Sequence, residues 1–298
     1  MSTNQRWTAA DLPDMRGRSV VITGGGQGLG ELTARALARA GAKVVLAVRD
    51  LAKGERVAAD IGGDAEARPL DLASLASIRA FAQAWNGDLD VLINNAGIMQ
   101  VPAARTADGF ELQLGTNHLG HFALTNLLLN HITDRVVVVT SALHSRGHIQ
   151  LDDLNWERRP YNSLQAYRDS KLANVLFAFE LQRRLTQARS NVRAVVAHPG
   201  IAPTTLASHI GGFVGFMQRR VTDLLGNDLD HAILPALYAA SQDLPGGAFI
   251  GPNGFGHLRG YPAIQELSPA ALDTETASAL WALSTQLTHL ETEVEQVR

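Results

Sequence analysis

Ser19-Val20-Val21-Ile22-Thr23-Gly24-Gly25-Gly26-Gln27-Gly28-Leu29-Gly30 decides the fold. Its first five residues are a short β-branched run, and four of the next six are glycine. Beyond Gly28 the apolar residues Leu29, Leu32, Ala36 and Ala40 recur at helical spacing, until Gly41 stops the pattern. A strand therefore runs through a turn almost free of side chains into a helix. Such a turn lets a backbone approach a pyrophosphate closely, and the helix N-terminus offers unpaired N–H groups and positive dipole to it. The position inside a first βαβ unit is the context this reading requires. Gly24, Gly26, Gln27, Gly28, Leu29 and Gly30 are the candidate phosphate-side residues. No Gly-x4-Gly-Lys-Ser/Thr pattern is present, which argues against a P-loop nucleotidase.

Outward from that stretch, further runs repeat the character of the first: Lys43 to Val48, Ala65 to Leu70, Val91 to Asn94, Arg135 to Thr140, Val192 to Ala197 and Ala248 to Ile250. Their near-continuous apolar character means that both faces are covered, and the intervals are long enough for crossover helices. Seven mostly parallel strands in a doubly wound, Rossmann-type α/β fold are expected. With no repeat, low-complexity tract or Ser/Gly linker, residues 1–298 are read as one domain. Two stretches stand outside the alternation. Residues 205–227 are apolar and glycine-interrupted, and are read as a substrate lid whose alternative is a helix packed on the sheet or on a second subunit. Residues 273–298 carry Leu280, Leu283, Leu287, Leu290, Val294 and Val297 in steps of three and four, expected as a C-terminal helix packed on the domain.

Composition narrows the function. The 298 residues include 46% hydrophobic side chains, enough for a core without staples. The absence of cysteine excludes disulfides, iron–sulfur clusters and thiol nucleophiles. A net charge of -3 gives no footprint for nucleic acid. No apolar run approaches the roughly 20 residues of a membrane helix, and the N-terminus lacks signal-peptide regions, so a cytoplasmic enzyme acting on a small molecule is expected.

The second strand ends Ala47-Val48-Arg49-Asp50. An acid at a strand end about 20 residues past the glycines would accept the ribose hydroxyls of NAD, whereas an arginine suits the phosphate of NADP. Val48 stands where the acid would be, so Arg49 points to NADP(H); the alternatives are a merely solvated Arg49 and an Asp50 turned inward. Tyr167 and Lys171, four apart on a helical stripe, emerge one turn apart on one face. An ammonium beside a phenol favours the phenolate, and is expected to lower a tyrosine pKa from about 10. Lysine is scarce, occurring only at 43, 53 and 171, so the pairing is not drawn from an abundant residue. Ser141 closes the fifth strand at the carboxyl edge, where open sheets place ligands. His118 and His121 lie three apart, but no carboxylate at ligand spacing joins them, so a core role outweighs a metal site.

Taken in order, Thr23-Gly-x3-Gly-x-Gly30, Asp71, Asn94-Asn95-Ala96-Gly97, Asn117, Ser141, Tyr167-x3-Lys171 and Pro199-Gly200 resemble the classical short-chain dehydrogenases/reductases. The stretches Asn117-His118-Leu119-Gly120-His121-Phe122 and His198-Pro199-Gly200 are similar to the branch of retinol dehydrogenases, protochlorophyllide reductases and WW-domain oxidoreductases. The resemblance implies Tyr167 as acid/base, Lys171 as ribose-binding and pKa-lowering, Ser141 bonded to the substrate oxygen, and Asn117 holding a water that links Lys171 to solvent. It also implies Asp71 and Leu72 beside the adenine, Asn95, Ala96 and Gly97 along the cofactor wall, and Pro199, Gly200 and Thr204 near the carboxamide. Gly25-Gly26-Gln27 departs from that branch's Ala-Asn-Ser or Ala-Asn-Thr, and Thr140 from its common serine. The expected activity is hydride transfer between NADP(H) and a carbonyl or secondary alcohol, with lipophilic or aromatic substrates favoured by the composition of 205–227. Alternatives are C=C reduction by the same pair, or a cofactor-sensing protein without turnover. A homo-oligomer is compatible with the resemblance.

Overall fold

The computed structural model describes residues 6–200 and 228–290. Strands β1 (Ser19–Thr23), β2 (Lys43–Val48), β3 (Ala65–Pro69), β4 (Leu89–Asn94), β5 (Ile132–Val139), β6 (Arg193–Ala197), β7 (Phe249–Pro252) and β8 (Pro262–Ile264) form one sheet in the order β3-β2-β1-β4-β5-β6-β7-β8. All neighbours are parallel except β7 and β8. The seven expected strands are present with ends shifted by up to three residues. The eighth was not expected. It begins at Pro262 in an edge position, where a missing N–H costs nothing, and three residues give no alternation to detect.

Successive strand residues serve opposite cores, which is why the runs read as continuously apolar. Val21, Val45, Leu92, Val136, Val138 and Val196 enter one core, while Val20, Ile22, Val44, Leu46, Ile93 and Val137 enter the other. Each such side chain, fully removed from water, contributes about 1.5–3 kcal/mol before entropy is counted. Helices α1 (Gly28–Arg39) and α2 (Leu51–Ile61) cover the second core, and α3 (Leu75–Gln83) covers the first. Helix α4 spans 112–128 in three pieces, Leu112–Leu114, a π turn Gly115–Leu119 and the α-helical Gly120–Leu128. Helix α5 is Ser163–Gln187, started by Asn162, whose side chain accepts from the Gln165 N–H. Helices α6 (Leu229–Ala232) and α7 (Leu234–Ser241) precede β7.

Helix α8 (Thr274–Thr288) lays Leu280 and Trp281 into the first core, with Leu283, Leu287 and Leu290 packed against it. Val294 and Val297 lie outside the described residues, as do Thr204 and 205–227. Among the described residues no helix is long and apolar enough to cross a membrane.

Candidate active site

The order reverses between β1 and β4, whose carboxyl ends carry the glycine turn and Asn95; a small gap beside them is lined by Leu29, Asn95, Val139, His198, Pro199 and Ile233. Ligands of open α/β sheets bind at this switch point. Gly24 has φ 67°, in the left-handed region that favours glycine. At Gly30 an added Cβ would stand 2.4 Å from the Gly24 oxygen, so the helix can meet the turn only without a side chain. The turn is therefore a cradle of the kind a pyrophosphate needs, followed by the N-terminus of α1.

The adenosine side of that cradle has an unambiguous arrangement. Val48 is buried, 3.1 Å from where a Gly26 Cβ would lie. Asp50 caps α2, its carboxylate accepting from the Lys53 N–H at 3.0 Å. One of the two Asp50 carboxylate oxygens is thus engaged at the start of α2. Arg49 is exposed, and the Lys53 ammonium donates to Gln27 Oε1 at 2.6 Å. Two cations thus flank the end of β2, and the Lys53–Gln27 pair was not apparent in the sequence. Asp71 follows β3, its Oδ1 accepting from the Ala73 N–H, and Leu72 beside it is buried.

On the other side, Ser141 follows β5 and Tyr167 and Lys171 project from α5. Ser141 stands beside the Tyr167 phenol and favours its ionised form, and Lys171 Nζ lies 5.9 Å from the centre of the Tyr167 ring. Lys171 Nζ donates to the Val139 carbonyl at 3.2 Å, and Thr140, the departure from the family's serine, donates to the Lys171 carbonyl at 2.8 Å. Thr140 therefore ties the end of β5 to α5.

The expected depression of the tyrosine pKa is corrected here. Burial raises Tyr167 to about 12, against a lowering contribution from Ser141, while burial lowers Lys171 to about 8. Desolvation outweighs the pairing because both groups are fully buried.

Asn117 sits in the π turn of α4, a rare geometry frequent at functional sites. Its Oδ1 accepts from the Ile98 N–H at 2.8 Å, and Nδ2 donates to the Ile98 carbonyl and to Ser170 Oγ. Both amide hydrogens are therefore committed to protein partners. Asn95 Nδ2 donates to the Thr23 carbonyl, and the Asn95 and Ala96 N–H groups donate to Thr23 Oγ1. That fastens the stretch after β4 to the end of β1.

Gly200 has φ 74° and lies against the Leu258 carbonyl. Its N–H donates to His198 Nδ1 at 3.3 Å, and the other nitrogen of that ring meets Gln265 Oε1 at 2.8 Å. His198 thus anchors the Pro199–Gly200 turn to β7 and β8 through a partner too distant in sequence to be foreseen. The two histidines of α4 do not form a pair. His118 Nε2 contacts Ser284 Oγ on α8, whereas His121 contacts Thr23 and the Asn117 carbonyl.

A glycine cradle at the switch point suits a dinucleotide, and a phenol and an ammonium at its far end handle protons. The class so defined is a nicotinamide-dependent oxidoreductase. The family description "short chain dehydrogenase" matches residues 18–212, and the chain belongs to that family. It is 42% identical to human retinol dehydrogenase 13 over 292 residues, which is 92% of this chain and 86% of that protein. A crystal structure of a protein from Mycobacterium paratuberculosis is 53% identical, with TM-score 0.85, covering 97% of this chain and 99% of the other. A 3-ketoacyl-(acyl-carrier-protein) reductase from Brucella melitensis, solved with NADH, is 27% identical with TM-score 0.62, covering 78% and 96%.

Proposed function

We propose that this chain is an NADP(H)-dependent reductase of lipophilic carbonyl compounds, working reversibly on the corresponding secondary or primary alcohols. The observation that carries the cofactor choice is the end of β2, where the apolar Val48 is buried in the place of the expected acid, one Asp50 oxygen caps α2, and Arg49 and Lys53 supply two cations. A guanidinium recognises phosphate through charge-assisted hydrogen bonds, and has no acceptor to offer a ribose hydroxyl. The substrate class rests on the apolar sequence of 205–227 and on the retinol in the relatives' names.

A nicotinamide cofactor held along the glycine turn and the Asn95–Gly97 stretch would supply hydride for the carbonyl carbon. Tyr167 donates its phenolic proton to the carbonyl oxygen, and Ser141 shares a hydrogen bond with that oxygen as charge develops on it. A phenol with pKa about 12 is fully protonated at neutral pH, which suits reduction. Lys171, mostly an ammonium at pH 7, holds the ribose and favours the phenolate left after transfer. Asn117 keeps the Ile98 and Ser170 contacts that set the floor of the site.

The test is a panel of all-trans-retinal, bulky ketones and quinones against sugars and keto acids, each with NADPH and with NADH. Faster NADPH oxidation with the apolar set is expected. Preference for NADH or for the polar set would overturn the corresponding half of the reading. Product analysis distinguishes alcohol formation from C=C reduction.

A further inference from the structure

His121 is fully buried in α4, one turn beyond Asn117, and both of its ring nitrogens are engaged. Nδ1 lies 2.8 Å from the Asn117 carbonyl oxygen, and Nε2 lies 2.8 Å from Thr23 Oγ1. A carbonyl only accepts, so Nδ1 carries the hydrogen and Nε2 the lone pair. Thr23 completes the pattern. Its Oγ1 already accepts two backbone N–H groups, from Asn95 and Ala96 at 2.9 Å each, so its own hydrogen goes to Nε2. The competing acceptor, the Ile93 carbonyl, is at 3.4 Å. One tautomer satisfies every group. Burial, with a smaller contribution from the Lys171 charge, holds the imidazole down to about pKa 4, so the ring remains neutral at ordinary pH.

We propose that His121 is a positioning residue that couples the cofactor turn to the site asparagine, spanning Thr23 at the end of β1 and Asn117 in the π turn of α4. Thr23 immediately precedes the glycine turn and holds Asn95 and Ala96; Asn117 holds Ile98 and Ser170. The imidazole joins these two networks, its Thr23 partner lying 98 residues away in sequence. It does not conduct protons. The path from the Asn117 carbonyl through the ring and Thr23 ends on backbone amides, which do not release protons at neutral pH. The inference rests on the reading of the glycine turn as the cofactor site and of Asn117 as part of the catalytic set.

The two arms can be removed separately. His121→Asn keeps an amide donor near the place of Nδ1 and loses Thr23, whereas His121→Gln keeps an acceptor near the place of Nε2 and loses Asn117. One hydrogen bond is worth about 1 kcal/mol, or roughly fivefold in an equilibrium. In wild type, saturation with NADPH should slow hydrogen exchange at the Ile98 amide, because order at Thr23 is passed through the ring to Asn117. Each variant breaks one arm, so that cofactor-dependent slowing should be lost in both; in addition His121→Asn should raise the dissociation constants for NADPH and NADH about fivefold, and His121→Gln should speed Ile98 exchange in the cofactor-free protein about fivefold. Slowing that survives in both variants, or that is absent from wild type, would overturn the coupling. The wild-type protein provides a measurement free of folding risk: ¹⁵N spectra should show the Nδ1–H tautomer from pH 5.5 to pH 9, with Nε2 shifting on saturation with cofactor. An Nε2–H tautomer, or no shift, would also overturn it. Wild-type protein that binds neither cofactor would instead count against the cofactor site itself.

Discussion

Gly97 faces Lys171 so closely that an added Cβ would stand 3.3 Å from the lysine Nζ, and equally 3.3 Å from Asn117 Oδ1. The two polar groups thus converge on one backbone position. Asn117 is fixed by three hydrogen bonds, so an intruding methyl group would displace the ammonium at the end of its flexible stem rather than the amide. Gly97→Ala should therefore fold normally, as no left-handed backbone is required there, yet lose about tenfold in kcat/KM, the order expected when a positioned group shifts slightly. Steady-state kinetics beside a melting curve decide it: unchanged kinetics would mean that Lys171 does not act from this place.

Removing the phenolic oxygen isolates the proton step. Tyr167→Phe should lower kcat by about 10²–10⁴-fold, the usual contribution of a positioned acid, while the dissociation constant for NADPH stays within about twofold. Ser141→Ala should also reduce kcat, and in addition should push the Tyr167 phenol further up, because Ser141 is what lowers it. Spectrophotometric titration of the tyrosines in wild type and Ser141→Ala would show this. An unmoved titration would place Ser141 outside phenol control.

Cofactor choice is tested at the end of β2. Arg49→Ala should weaken NADPH by about tenfold and leave NADH almost unchanged, since charge-assisted bonds to phosphate are worth more than neutral ones. Asp50→Ala should behave differently: it removes the cap of α2 and should cost about 1 kcal/mol of stability with little effect on the NADPH to NADH ratio. Equal losses for both cofactors in Arg49→Ala would leave the phosphate without its partner.

Much of this was legible in the sequence for a specific reason. Strands whose alternate residues enter two cores, such as Val20 and Val21, must read as unbroken apolar runs, and glycines that allow close approach leave a pattern of their own. Strand β8 was hidden because Pro262, Ala263 and Ile264 are too few to show a period. Lys53 and Gln27 lie on separate elements and meet only when α2 docks beside the turn. The direction of the Tyr167 shift was misread since spacing reveals proximity to an ammonium but not the depth of burial, and burial decided it. His121 was assigned to the core, where it indeed lies; only its two distant partners give it a role.

Lys171 carries the last prediction, in which stability and binding respond to pH in opposite directions. Its folded pKa of about 8 lies below its usual 10.5, so between those values the unfolded chain binds more protons than the folded one, and the contribution of Lys171 to stability rises with pH. That contribution is fully present above the unfolded value and is lost as pH falls through about 8. The difference of about 2.5 pH units corresponds to about 3 kcal/mol, as an order of magnitude for a fully buried group. Relative to Lys171→Met, which cannot titrate, wild-type protein should gain stability steadily from pH 8 to pH 10, seen as a narrowing or reversal of the difference in denaturation midpoint. Cofactor affinity should move the other way, weakening above pH 8 as the ammonium that holds the ribose loses its proton, while Lys171→Met binds weakly at every pH. Parallel pH profiles for the two proteins in stability would show that burial does not strain the Lys171 ammonium, and parallel profiles in affinity would show that the ammonium does not hold the cofactor.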